Sequence, residues 1–206
     1  MMTMITMGFS RDMTNGFETV IVFDTETTDL VQHKLVPLER QPHVIEFGAL
    51  LGKLDENGNA TEIATLDFLC HPGFEIQDLT TTLTGITRAM LADQPHIRTR
   101  LDAITSFFAR AETRAGHNLT FDESMLNFEF QRASIGQPQP LSWQPARRQR
   151  RICTVETTDH LKGFRLNLSK LHELLFNEPF TDAHRALVDV RATWRCIAEL
   201  RRRKVI

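Results

Sequence analysis

Apolar positions fall into short blocks early in the chain and into helical stripes later. Val20-Ile21-Val22-Phe23 is an unbroken β-branched and aromatic run of the length of a buried strand. The polar stretch from Val31 to Pro42 holds two prolines, which oppose regular structure and predict a loop. His43 to Leu54 and Glu62 to Cys70 read as the second and third strands. Between them Asn57-Gly58 is a hairpin signal, because both residue types tolerate positive φ. The first part of the chain is therefore expected to be an antiparallel meander.

Beyond His71-Pro72-Gly73 the period lengthens. Leu79 to Leu83 and Thr99 to Ala111 have helical spacing, the second with Leu101, Ile104, Phe107 and Phe108 on one side. Ala115 to Asn118 predicts a short strand. Thr120 and Glu123 form a T-x-x-E pattern, read as a capping box opening a helix that carries Leu126, Phe130 and Ala133. Gln137 to Pro145 contains three prolines and predicts a loop. Arg151 to Glu156 reads as a last strand and Leu168 to Phe176 as a helix. Ala183 to Arg203 reads as a long terminal helix striped by Leu187, Val190, Trp194 and Ile197. Strands first, then alternating helices and strands, predict an α/β fold: one mixed sheet flanked by helices, in a single domain.

A chain of 206 residues is long enough to bury a real core, and 41% hydrophobic with 24% charged residues describes an ordinary globular protein. The net charge of -2 supplies no overall basic field for nucleic acid. Basic residues cluster instead at Arg147-Arg148, Arg150-Arg151 and Arg201-Arg202-Arg203-Lys204, where they serve either as solvated faces or as phosphate contacts. The three cysteines (Cys70, Cys153, Cys196) are odd in number and widely spaced. They give neither a disulfide framework nor a zinc site, and the expected compartment is a reducing cytoplasm. No apolar stretch is long enough to span a membrane. Residues 1–12 are expected to lie outside the domain at 13–206, since Met2-Thr3-Met4-Ile5-Thr6 resembles a β-galactosidase leader carried by cloning vectors.

The candidate chemistry begins at Asp24-Thr25-Glu26, at the end of the first strand. Two carboxylates separated by one residue there can point into one site and hold a divalent cation. Acidic turns after strands are common, and the triplet gains weight from two motifs later in the chain. Asn118-Leu119-Thr120-Phe121-Asp122 places Asp122 at a helix start, where the macrodipole alone would favour an acid. His184-Arg185-Ala186-Leu187-Val188-Asp189 then places Asp189 beside an apolar stripe, where a carboxylate needs a partner. Five residues separate His184 from Asp189, roughly 140° around an ideal helix, so the histidine is expected in the loop or first turn rather than stacked above the acid.

These three motifs, in this order, resemble the DEDDh branch of the DnaQ-like exonucleases, which includes polymerase proofreading subunits, RNase T and oligoribonuclease. DxE matches Asp24 and Glu26, NxxFD matches Asn118 to Asp122, and HxxxxD matches His184 and Asp189. Leu83-Thr84-Gly85-Ile86-Thr87 with Met90-Leu91 resembles the family's helix and turn between the first two motifs. The sister branch uses a tyrosine where this one uses the histidine, and this chain has no tyrosine. The resemblance implies a ribonuclease H-like mixed sheet. It also implies a metal-dependent 3′–5′ exonuclease releasing nucleoside 5′-monophosphates from single-stranded or frayed ends, in proofreading or repair.

By the same resemblance, Asp24, Glu26, Asp122 and Asp189 would bind two Mg²⁺ or Mn²⁺ ions and His184 would be the general base. Thr25, Thr27, Asn118 and Phe121 would meet the substrate end, and Phe74, Phe121 and Phe164 are either base-stacking or core aromatics. Asp29 departs from the glycine common after DxETT. DNA is favoured and an RNA-directed activity of the RNase T or oligoribonuclease type stays open. The expected partners are single-stranded DNA or RNA 3′ ends and a DNA polymerase. Gln139-Pro140-Leu141-Ser142-Trp143 is either a loose sliding-clamp peptide or a plain proline loop. The rival from another class is a silent nucleic-acid-binding or polymerase-docking module on the same fold.

Overall fold

The computed structural model describes residues 16–137, 149–180 and 184–206. The vector-like leader and the clamp-like peptide lie outside them. Among the described residues five strands form one sheet in the order β3-β2-β1-β4-β5. The strands are β1 (Phe17–Thr27), β2 (Val44–Asp55), β3 (Ala60–Leu69), β4 (Thr113–Gly116) and β5 (Arg150–Cys153). β1, β2 and β3 pair antiparallel as the expected meander, whereas β4 joins β1 in parallel and β5 joins β4 in parallel. The fold is the expected α/β mixed sheet with helices.

β1 is longer than its apolar run suggests. It occupies the centre of the sheet, so β2 pairs along its whole length from Phe17 to Thr27, and flanking polar residues are drawn into the ladder. The β2–β3 hairpin forms where expected, but only Gly58 takes positive φ, at 79°. Asp55 does the remaining work, its carboxylate accepting the N–H groups of Asn57 and Asn59 at 2.8 Å.

The α-helices among the described residues are α1 (Asp78–Thr84), α2 (Arg88–Leu91), α3 (Leu101–Phe108), α4 (Leu119–Ala133), α5 (Thr154–Lys162), α6 (Leu168–Phe176) and α7 (Ala186–Arg202). α1, α3, α4 and α6 fall on expected segments. The strand expected over Arg151 to Glu156 stops at Cys153, and α5 begins there. The capping box is also corrected. Asn118 is the N-cap of α4 and gives no side-chain cap bond, while the Thr120 hydroxyl accepts from Arg151 Nη2 at 2.6 Å. Glu123 is instead ion-paired with Arg114 and Arg151.

Alternation along β1 distributes the core over both faces of the sheet. Ile21 and Phe23 pack with Phe47, Ile104, Phe108, Leu119 and Met125, and the Phe23 and Phe108 rings meet edge to face at 4.8 Å. On the other face Val20, Val22, Leu50 and Leu54 bury Val190, Trp194 and Ile197 of α7. Full burial of side chains this size contributes about 1.5–3 kcal/mol each. Together these two layers hold α4 and α7 against opposite faces of β1, the strand that carries the first acidic pair.

Candidate active site

The ladder between β1 and β4 covers only Val20 to Val22. Beyond it β1 continues with Asp24, Thr25 and Glu26, and the two carboxylates, two residues apart, share one side of the strand. Past Gly116 the chain turns through Asn118 in the left-handed region (φ 62°, ψ 42°), a conformation asparagine tolerates better than most residues. This turn starts α4 and brings Asp122 beside β1. Asp122 Oδ1 then accepts the Thr25 backbone N–H at 2.9 Å and the Thr25 hydroxyl at 2.7 Å. Thr25 thus serves the second acidic motif as a donor.

Asp189 comes from the opposite face, in the first turn of α7. One of its oxygens, Oδ2, accepts the His184 backbone N–H at 3.2 Å. The other, Oδ1, is buried and has no hydrogen-bond partner. His184 precedes the helix, as its spacing from Asp189 predicted, and holds φ at 79°. α7 begins at Ala186 rather than Ala183. Glu26, His184 and Asp189 each present a ligand atom, all within 4.8 Å of one another.

The electrostatics of this cluster are unfavourable for bare carboxylates. Burial, and then the charges of Asp122, Glu26 and Asp189, push Asp24 well above the ordinary carboxylate range. Burial raises Glu26 to about 7, reinforced by Asp189 and Glu46 and opposed by Arg185. Burial also raises Asp122 to about 8 despite the Thr25 hydrogen bonds, and raises Asp189. Such a group of hard oxygen donors, one of them buried without a partner, fits a divalent cation.

A cavity of about 320 Å³ opens beside these acids, lined by Thr25, Glu26, Thr27, Asp29, Phe121 and His184, with Leu30, Leu79 and Leu83 at its apolar side. These three leucines are 72%, 63% and 59% exposed, unusually open for large apolar side chains grouped at one hollow. Thr80, on α1, donates its hydroxyl to the Thr28 carbonyl at 2.9 Å and so fixes this wall to the loop after β1. Asn118 is exposed and does not line the cavity, nor does Phe164. Phe74 lines neighbouring hollows and stands edge-on to His43 at 5.2 Å.

A family model described as an exonuclease, RNase_T, matches residues 21–196. The chain belongs to the RNase_T exonuclease family. It is also similar to a PolC-type DNA polymerase III of Halalkalibacterium halodurans, with 30% identity over 197 residues. That match covers 90% of this chain and 12% of the polymerase, so the chain spans about an eighth of its relative's length. Among solved structures it resembles Exonuclease X in complex with 5′ overhanging duplex DNA, at 20% identity and a TM-score of 0.58, covering 88% of this chain and 90% of that one. A 3′-exonuclease that recognises the histone mRNA stem-loop gives 15% identity and a TM-score of 0.69, covering 91% and 64% respectively. These solved structures share the architecture.

Two features of this RNase_T exonuclease domain escaped the sequence reading. Glu46 on β2 is 1% exposed, stands opposite Glu26 in the ladder and is ion-paired with Arg185 at 2.7 Å. Its signal was a lone acid in the otherwise apolar and small run Val44 to Leu51. The basic clusters, in turn, are occupied within the domain. Arg150 and Arg201 pair with Glu18, Arg151 with Glu123 and Glu156, Arg202 and Arg203 with Glu199, and Lys204 reaches the Glu56 carbonyl at 2.8 Å. Arg147 and Arg148 lie outside the described residues. Asp29, in the place usually held by glycine, turns its carboxylate back to the Leu30 N–H at 2.7 Å while its carbonyl accepts the Thr27 hydroxyl at 2.8 Å. Among the described residues no helix is long and apolar enough to cross a membrane.

Proposed function

We propose that this chain is a divalent-metal-dependent 3′–5′ exonuclease that hydrolyses single-stranded or frayed DNA ends to nucleoside 5′-monophosphates. The observation that carries the reading is the convergence of Glu26, His184 and Asp189 within 4.8 Å, beside a cavity that Glu26 and His184 line together with Leu30, Leu79 and Leu83. Asp24, Glu26, Asp122 and Asp189 would hold two Mg²⁺ or Mn²⁺ ions. Such ions supply charge neutralisation on the phosphate and stabilise the departing 3′ oxygen.

The chain's own groups account for the rest. His184 takes the proton from the attacking water, a role its imidazole can fill from its place beside Glu26 and Asp189. Asp189 holds the His184 backbone, and Thr25 holds Asp122. Leu30, Leu79 and Leu83, with Phe121, offer apolar surface to the terminal base, and Thr27 faces its sugar from the same cavity. Asn118 steadies the turn that delivers Asp122. The PolC-type relative favours DNA over RNA and a role in proofreading beside a polymerase. The three described cysteines are free and buried, in keeping with a reducing cytoplasm.

The test is product analysis. A single-stranded DNA oligonucleotide incubated with the protein and Mn²⁺ should release nucleoside 5′-monophosphates, and EDTA should stop the release. Cleavage that persists in metal-free protein contradicts the metal dependence. Tight binding with no product at all supports the silent docking module instead.

A further inference from the structure

We propose that Glu46 is a positioning residue for His184, fixing the chain ahead of the last helix so that the imidazole stands over the acidic cluster. This rests on the exonuclease reading above.

Glu46 spends its hydrogen-bonding capacity on two successive residues. Oε1 accepts from Arg185 Nε at 2.9 Å and Nη2 at 2.7 Å, and Oε2 accepts from the Ala186 backbone N–H at 2.9 Å and from Arg185 Nε at 3.2 Å. These contacts cross 139 and 140 residues of sequence. The start of a helix ordinarily takes its cap from a nearby Ser, Thr, Asp or Asn. Here the N-cap is Arg185, which gives no side-chain cap bond, and the acceptor comes from a strand instead. Placing a carboxylate in the interior beside other acids is costly unless it is paired, and the Arg185 guanidinium pairs it.

The consequence is geometric. Glu46 lies directly across the ladder from Glu26. Its hydrogen bonds therefore tie residues 185 and 186 to the same sheet position that carries Glu26. His184 sits between this tie and a second one, its own N–H donating to Asp189 Oδ2 at 3.2 Å. Its φ of 79° is uncommon for a residue with a side chain, and such conformations persist where the surroundings over-determine them. Asp189 needs Glu46 less, because it lies within α7, whose Val190, Trp194 and Ile197 are packed into the core.

The experiment measures kcat and KM on a single-stranded oligonucleotide at saturating Mn²⁺ for wild type, Glu46→Gln, His184→Ala and the double variant. Glu46→Gln should lower kcat about 10–100-fold, the usual effect of removing a group that orients an active-site residue, with KM little changed. In the His184→Ala background the same substitution should cost nothing further, because residues that act as a unit are not additive. Wild-type kcat in Glu46→Gln overturns the proposal, as does an undiminished loss in the His184→Ala background. If Glu46→Gln does not fold, Arg185→Gln removes from its half-exposed side three of the four hydrogen bonds of this tie, all but that of the Ala186 N–H, and an unimpaired kcat there is equally contradictory. An active wild type with an unimpaired variant removes the positioning role alone, whereas an inactive wild type removes the exonuclease reading and this role with it.

Discussion

Thr25 and Asp122, 97 residues apart in sequence, share two hydrogen bonds to a single carboxylate oxygen, at 2.9 Å from the backbone and 2.7 Å from the hydroxyl. The residue between the two acids of the first motif thereby sets the place of the acid in the second. Thr25→Val keeps the shape and the β-branch but removes one donor. A lost hydrogen bond of this kind costs about 0.5–1.5 kcal/mol, and each kcal/mol lowers Tm by about 2–4 °C in a domain of this size. Thermal melts should show that drop, and kcat should fall with it as Asp122 loses its fixed orientation. Unchanged Tm and kcat would remove Thr25 from the site.

The raised carboxylates make a pH prediction whose sign is definite. Asp122 moves from the ordinary 3.8 up to about 8, so the native protein holds this proton more tightly than the unfolded chain does. Its contribution to stability is complete below about pH 4 and is lost progressively as pH rises towards 8. Asp122→Asn imitates the protonated form. In EDTA the variant and wild type should therefore melt together near pH 4, and the variant should melt higher at pH 8. Mn²⁺ should raise the wild-type Tm at pH 8 and leave that of Asp122→Asn less affected. Identical melting of the two proteins across this range in EDTA would contradict the strained acidic cluster.

His184→Ala should leave the acids and the cavity in place while removing the proton acceptor. We expect kcat to fall about 10²–10⁴-fold, the usual contribution of general base catalysis, with KM and the Mn²⁺-dependent rise in Tm largely retained. Wild-type kcat in this variant would take the role of base away from His184.

At Gly48 the β2 backbone lies close against the start of the final helix. A Cβ there would come within 2.6 Å of both the Ala186 carbonyl carbon and the Leu187 nitrogen, backbone atoms that cannot step aside cheaply. Gly48→Ala should destabilise by about 1–3 kcal/mol, the range for overpacking a well-packed interior. It should also depress kcat, since the helix start it displaces carries Asp189 and follows His184. Wild-type melting and activity would show that the helix start tolerates displacement.

The meander and most helices are legible from the spacing of apolar residues, whereas the site is legible only through the resemblance of its three motifs to the DnaQ-like exonucleases. The hydrophobic blocks located the meander and most helices because burial on both sheet faces demands them. The three acidic motifs end a strand or begin a helix, and β1, α4 and α7 bring Glu26, Asp122 and Asp189 into one region. What stayed hidden depends on distant partners or on context that overrides local preference. The expected strand over Arg151 to Glu156 ends in Thr154-Val155-Glu156, two of them β-branched, yet β5 has only the four positions of β4 to pair with. The chain then turns helical, with the Thr158 hydroxyl donating back to the Thr154 carbonyl at 2.6 Å. The sequence marks Glu46 only as a lone acid in an apolar run, because its partner, Arg185, lies 139 positions away. The arginine clusters looked available for phosphate because their acidic partners, Glu18 above all, come from other elements.

The most direct test of the central claim uses one 5′-labelled single strand, prepared as DNA and as RNA, incubated with Mg²⁺ and resolved on a gel. The account predicts a ladder shortening from the 3′ end, faster on DNA, absent with EDTA and absent in Asp24→Ala. A label that stays at full length while both strands bind, or that appears directly in internal fragments, would contradict a 3′–5′ exonuclease.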